Sequence, residues 1–80
     1  MGGAIFTLAD FAFATLSNHL HLGTVAQQIS INYLAEAKGN RLTARGTCKK
    51  NGRSTCVINV EVKDEAGRDI AQFVGTGFKL

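Results

Sequence analysis

Residues 2–18, GGAIFTLADFAFATLSN, decide how the rest of the chain is read. The segment is rich in Ala, Leu and Phe, lacks Pro and keeps its glycines at its start, so nothing interrupts a helix. Ile5, Leu8, Ala9, Ala12 and Leu16 recur at helical spacing, while Phe6, Phe11 and Phe13 cover the other sides. A helix that is apolar all round is buried all round. The pattern therefore predicts a helix over about 3–18 that lies inside the fold or is wrapped by a sheet. Ser17, Asn18 and Gly23 supply stop signals, and the His19–Leu22 stretch forms a last turn or loop.

After Thr24 the period falls to two. Val25, Ile29, Ile31 and Tyr33 alternate with Gln28, Ser30 and Asn32 in a first strand over about 24–35. Further alternations predict strands over about 41–50, 53–64 and 69–79, antiparallel and in hairpin order. A two-residue Asn51-Gly52 turn would set Leu42 and Ala44 opposite polar Glu61 and Asn59. A three-residue loop with Gly52 left-handed pairs Cys48 with Ser54, and so places Ala44 beside Ile58 and Leu42 beside Val60 on one apolar face. The same device at Glu65-Ala66-Gly67 places Ile70 opposite Val62 and Val74 opposite Ile58. The expected architecture is α+β: one domain over residues 1–80, with a central buried helix wrapped by a curved four-stranded antiparallel sheet.

Eighty residues with 45% apolar and 19% charged side chains exclude a second core and a disordered tail. A chain of this size is marginal alone and leans on a partner subunit. The net charge of +3 helps hold an anion but falls short of a dedicated nucleic-acid binder. Cys48 and Cys56 are too few for a disulfide scaffold, form no metal spacing with His19 and His21, and sit diagonally on one face as reduced thiols. The apolar run from Ala4 to Leu16 is too short for a membrane span, and no secretion signal is visible; a cytoplasmic protein is the simplest expectation. No metal site is expected.

One residue breaks the pattern. Asp10 is the only formal charge between Met1 and Ala35, and its helical neighbours are Phe6, Thr7, Phe13 and Ala14. Burying an unpaired carboxylate is costly, so it either reacts, faces a wet groove or bonds a distant backbone group. Gly2 and Gly3 stand where the helix starts, where backbone N–H groups point outward as anion donors and glycine admits close approach. An oxyanion-binding helix start with a carboxylate two turns on is a set of parts for acyl transfer. The plainer reading of Gly2 and Gly3 is a loose chain start.

GGAIFTLADFAFA resembles the signature of hotdog-fold acyl-CoA thioesterases of the PaaI type, in which His-Gly-Gly opens the central helix and Leu-Ala-Asp follows. SINYLAEAKGNRLTARG resembles the strand after that helix and the start of the next, and VEVKDEAGRDIAQFVGTGF the closing hairpin with its Gly-Thr at 75 and 76. The likeness runs over essentially the whole chain. It implies that Asp10 acts on the thioester as general base or nucleophile, and that the amide of Gly2, with Gly3 beside it, polarises the carbonyl. It also implies a homodimer or homotetramer joined along the strand at 24–35, the helix start and the carboxylate of each site coming from different subunits. Acyl-CoA is then the substrate, and no cofactor is needed.

Three departures stand against the family pattern. Met1 occupies the place of the motif histidine; the family's N-terminal helix and first strand have no counterpart, which leaves 41–49 as an open edge; and the small hydroxyl residue facing the carboxylate falls on Ala26, with Thr24 or Gln27 as substitutes. A non-enzymatic hotdog module that binds acyl-CoA or a protein partner is therefore the second reading, and a weak nucleic-acid binder the third. An Asp on the helix disfavours a dehydratase, which uses His there. Lys38, Arg41, Lys49, Lys50, Arg53 and Arg68 gather in or beside connections; Lys49, Lys50 and Arg53, around Asn51-Gly52, are the expected ligands of the coenzyme A phosphates. There is no G-x-S-x-G elbow and no phosphate-binding P-loop.

Overall fold

The computed structural model describes residues 2–37, 39 and 41–80; Met1 and Lys38, both singled out in the sequence, lie outside the described residues, as does Asn40. Helix α1 spans Gly2–Leu20 and is followed by strands β1 (Thr24–Tyr33), β2 (Leu42–Asn51), β3 (Thr55–Asp64) and β4 (Asp69–Lys79). The strands form one antiparallel sheet in the order β1-β4-β3-β2, and α1 packs across all four. β2, β3 and β4 follow one another as hairpins. β1 departs from the expected hairpin order: it pairs with β4 on the far side. The connection from Leu34 to Arg41 is too long for a tight turn, and the N–H groups of Leu34 and Ala35 both donate to Ile70 O, at 2.8 and 3.3 Å, which ties the end of β1 to β4.

α1 lays one stripe on the sheet. Ile5, Ala9, Phe13 and Ser17, four residues apart, are all buried, facing Cys56, Ile58, Val60, Val62, Ile70, Ala71 and Phe73. The Phe73 ring stands 5.8 Å from Phe6 and 5.9 Å from Phe13, both pairs tilted, the geometry that aromatic quadrupoles favour. Contrary to the expectation from its composition, the helix is not enclosed all round. Phe11 is 70% exposed, because four strands cover one side of a cylinder and leave the other to something else.

Both hairpin registers differ from the sequence-based expectation. In β2–β3 the partners are Cys48 with Ile58, Gly46 with Val60 and Ala44 with Val62, a shift of four residues along β3. The turn has moved from Asn51-Gly52 to Arg53-Ser54, where Gly52 N–H donates to Thr55 O at 2.8 Å, and a bulge falls between Cys48 and Lys50. Gly52 does not take the left-handed conformation. An even shift preserves the face of every side chain, so the apolar face survives while its partners change. In β3–β4 the bulge lies beside Val62, which pairs with Ala71, not Ile70. Ile70 and Ala71 are then both buried, and from there onward Phe73, Gly75 and Gly77 face the helix while Val74 points outward. The turn forms around Asp64, whose Oδ1 accepts the N–H groups of Ala66 and Arg68, both at 3.0 Å, with Gly67 at a φ of 83°.

Candidate active site

Two contacts along α1 set where Asp10 faces. Leu16 Cδ2 lies 3.2 Å from where a Cβ on Gly46 of β2 would stand, and Phe13 Cε1 lies 2.6 Å from the same point on Gly75 of β4. Each step of three residues back along a helix turns its surface about 60° in one sense. Leu16 over β2 and Phe13 over β4 therefore carry Asp10 onward to the flank of β1. There it is half-buried, and among the described residues it forms no hydrogen bond or ion pair. The carboxylate stands beside an aromatic core with no cation among the described residues to neutralise it.

Gly3 lies seven residues before Asp10, which places it on nearly the same side of the helix but about 10 Å away along the axis. A reacting carbonyl has to sit about 3 Å from both the oxyanion donors and the attacking group. One copy of α1 therefore cannot present its own start and its own carboxylate to one thioester. The first turn contains no acidic side chain to compete for its N–H groups, which a helix start directs outward along the axis.

β1 is the edge strand on Asp10's flank, and most of its residues are exposed. Val25, Tyr33 and Leu34 are large apolar side chains left in the open along it. Of the three positions considered for a hydroxyl partner, Thr24 is buried and donates to His21 O at 2.5 Å, closing the corner between α1 and β1. Ala26 and Gln27 are exposed on β1, where Gln27 is the extra residue of a bulge.

Lys49, Lys50 and Arg53 are exposed along the end of β2 and the following turn. The structure adds a cation that the sequence reading passed over: Lys79 Nζ donates to Asn51 Oδ1 and, at 2.6 Å, to Gly52 O. Its signal lay in the β3–β4 register, which sets Phe78 opposite Thr55 and so brings Lys79 to the turn. Arg41 lies exposed ahead of β2, and Arg68, in the β3–β4 turn, reaches Glu36 O at 3.4 Å. His19 is exposed on α1, and His21 Nε2 lies 3.1 Å from Leu80 O, so the two do not converge. On the side of α1 away from Asp10, an apolar groove of about 490 Å³ runs between the helix and β2, lined by Leu8, Phe11, Ala12, Leu16, Ala44 and Gly46 among others. Cys48 and Cys56 are free thiols. Among the described residues no group of three His, Cys, Asp or Glu can hold a metal ion, and no helix is long and apolar enough to cross a membrane.

Comparison with known proteins meets this geometry from another side. The chain is 32% identical over 80 residues to the acyl-coenzyme A thioesterase PaaI of Escherichia coli strain K12, covering 99% of this chain and 57% of that protein. It superposes with a TM-score of 0.92 and 37% identity on a mutant of the phenylacetic acid degradation protein PaaI from Thermus thermophilus, covering all of this chain and 69% of that one. A hypothetical thioesterase protein with coenzyme A from Streptococcus pneumoniae TIGR4 gives a TM-score of 0.90 at 38% identity, covering 98% and 62%. The chain spans a little over half the length of the curated relatives it matches. These neighbours share the hotdog fold, the helix laid on a curved antiparallel sheet. The thioesterase superfamily model matches residues 1–71, and the chain belongs to that family.

Proposed function

We propose that the chain hydrolyses acyl-CoA thioesters at a site shared between two copies. The observation that carries this reading is Asp10, an un-neutralised carboxylate half-buried in the middle of the central helix on the flank of the edge strand β1. The carboxylate takes a proton from water as the water attacks the thioester carbon, or attacks that carbon itself and is released by water in a second step. In either route the carbonyl oxygen gains negative charge, which the N–H groups of Gly2 and Gly3 from a second copy stabilise at the positive end of the helix dipole. The thiol of coenzyme A leaves with a proton. Coenzyme A enters as part of the substrate, and no metal or redox cofactor is called for.

The separation of about 10 Å between Gly3 and Asp10 is the reason for a second copy. β1 is where that copy docks, as an edge with unpaired backbone groups and exposed Val25, Tyr33 and Leu34. A dimer, or a tetramer built from such dimers, follows. Lys49, Lys50 and Arg53 take the coenzyme A phosphates, and the two free thiols suit a reducing compartment such as the cytoplasm.

The test is release of free thiol from acyl-CoA, followed with DTNB, in the wild type and in Asp10→Asn. Loss of release with an unchanged circular dichroism spectrum supports the assignment; equal turnover overturns it. A second reading, a module that binds acyl-CoA without turning it over, draws on Met1 standing where the family signature carries a histidine. Binding of acyl-CoA by the wild type with no thiol released decides for that reading.

A further inference from the structure

One end of the long axis of the molecule, which measures 39 Å against 18 Å in the other two directions, carries basic side chains and no acidic ones. At one end the last turn of α1, the β2–β3 turn and the end of β4 meet: Thr24 pairs with Lys79, Thr55 with Phe78, and Lys79 N–H donates to Ser54 O at 2.8 Å. Residues 17–24, 49–56 and 77–80 bring Lys49, Lys50, Arg53 and Lys79 to this end and contain no Asp or Glu. The opposite end mixes both signs: Glu36, Asp64, Glu65 and Asp69 gather around the β3–β4 turn with Arg41, Arg68 and Lys63, the last in an ion pair with Asp69 at 3.5 Å.

Within the basic end Lys79 differs from its neighbours. Lys49, Lys50 and Arg53 are exposed, whereas Lys79 is half-buried and its ammonium is already held by Asn51 Oδ1 and Gly52 O, across the end of β3. An ammonium group has three N–H bonds, and two are used here; among the described residues no third acceptor engages it. A long side chain fixed in this way has already lost its rotamer freedom before a ligand arrives, so its remaining donor costs little to engage. The same contacts fix Asn51 and Gly52, between Lys50 on one side and Arg53 on the other.

We infer that Lys79 anchors an anion-binding end that takes the phosphates of the nucleotide half of a coenzyme A thioester. This rests on the hydrolase reading and says which residue holds the far half of its substrate. Asp10 lies ten residues before the end of α1, about 15 Å along the axis, a span of the order of an extended pantetheine arm. Lys79 sets the position of the turn and donates its third N–H to a phosphate oxygen, while Lys49, Lys50 and Arg53 supply the surrounding positive field.

The test compares an acyl-CoA with the matching acyl-pantetheine, which has the same thioester but lacks the phosphates. In Lys79→Met the ratio of KM for acyl-CoA to KM for acyl-pantetheine rises about tenfold, and Lys79→Arg restores most of it. Lys63→Met, the same change of charge at the other end, leaves the ratio at the wild-type value. If Lys79→Met shifts both KM values equally, or neither, the anchor is overturned. Adenosine 3′,5′-bisphosphate, which has no thioester, separates the two proposals: the wild type binds it in a salt-sensitive way and Lys79→Met binds it about tenfold more weakly, even if the chain hydrolyses nothing. Absence of binding by the wild type overturns the anchor whatever the outcome with thioesters.

Discussion

Phe13 rests on Gly75: its Cε1 lies 2.6 Å from the point where a β-carbon on that glycine would stand, and the ring also reaches over Gly77. The helix approaches β4 this closely because the strand presents no side chain there. Gly75→Ala therefore forces either the ring or the backbone to move. Overpacking of this kind costs about 1–3 kcal/mol. In a domain of this size the thermal midpoint falls about 4–8 °C for each kcal/mol, a loss that differential scanning calorimetry reads directly. An unchanged midpoint would mean that the ring does not sit there in solution.

Asp10 has the opposite profile. It has no hydrogen bond or ion pair among the described residues, so the fold gains nothing from its charge and loses some of its hydration. Asp10→Asn is expected to lower kcat for thioester hydrolysis by about 10²–10⁴-fold, the usual contribution of a positioned proton acceptor. Its thermal midpoint is expected to stay equal to that of the wild type or rise slightly, as when a group kept for function is removed. A lower midpoint accompanying the loss of activity would assign the carboxylate to the fold.

Periodicity carried the elements and the helix-facing side of β2 and β3, because alternation fixes the parity of a strand. It did not carry the offset between strands, and two local facts show why. In β2–β3 the Asn51-Gly52 pair is a strong turn signal, yet Lys79, from a strand 28 residues further on, holds Asn51 from outside, and the chain turns at Arg53-Ser54 instead. In β3–β4 one extra residue at Ile70 inverts the faces of the strand beyond it, so that Phe73 and not Val74 enters the core. The chemistry was legible through Asp10, since a lone charge in an apolar helix stands out in any register. Lys79 was not, because only the fold brings it to the turn.

Asp64 organises the β3–β4 turn by accepting two backbone N–H groups on one carboxylate oxygen while itself 4% exposed. Asp64→Ala strands both donors. The expected cost is about 1–2 kcal/mol, read as a lower urea midpoint. Asn retains an acceptor oxygen at the same position, so Asp64→Asn is expected to lose less than half as much. Equal losses for Ala and Asn would place the requirement in the negative charge and not in the acceptor geometry.

A site divided between two copies makes a demand that no single-chain site makes. Gly2→Pro removes one backbone N–H at the first helical position, where proline's φ fits and the lost donor has no partner within the helix. Each site in a Gly2→Pro dimer lacks a donor for the oxyanion, and each site in an Asp10→Asn dimer lacks the carboxylate, so both variants alone are expected to be nearly inactive. Mixed and allowed to exchange subunits, half the dimers are heterodimers. In each heterodimer both lesions fall in one site and leave the other intact. Activity is then expected to recover to about a quarter of the wild-type value, with the time course of subunit exchange. Recovery in proportion to the heterodimer measured by native mass spectrometry supports the shared site. No recovery, with heterodimers formed, would put the helix start and the carboxylate of each site in the same chain, against the distance between Gly3 and Asp10.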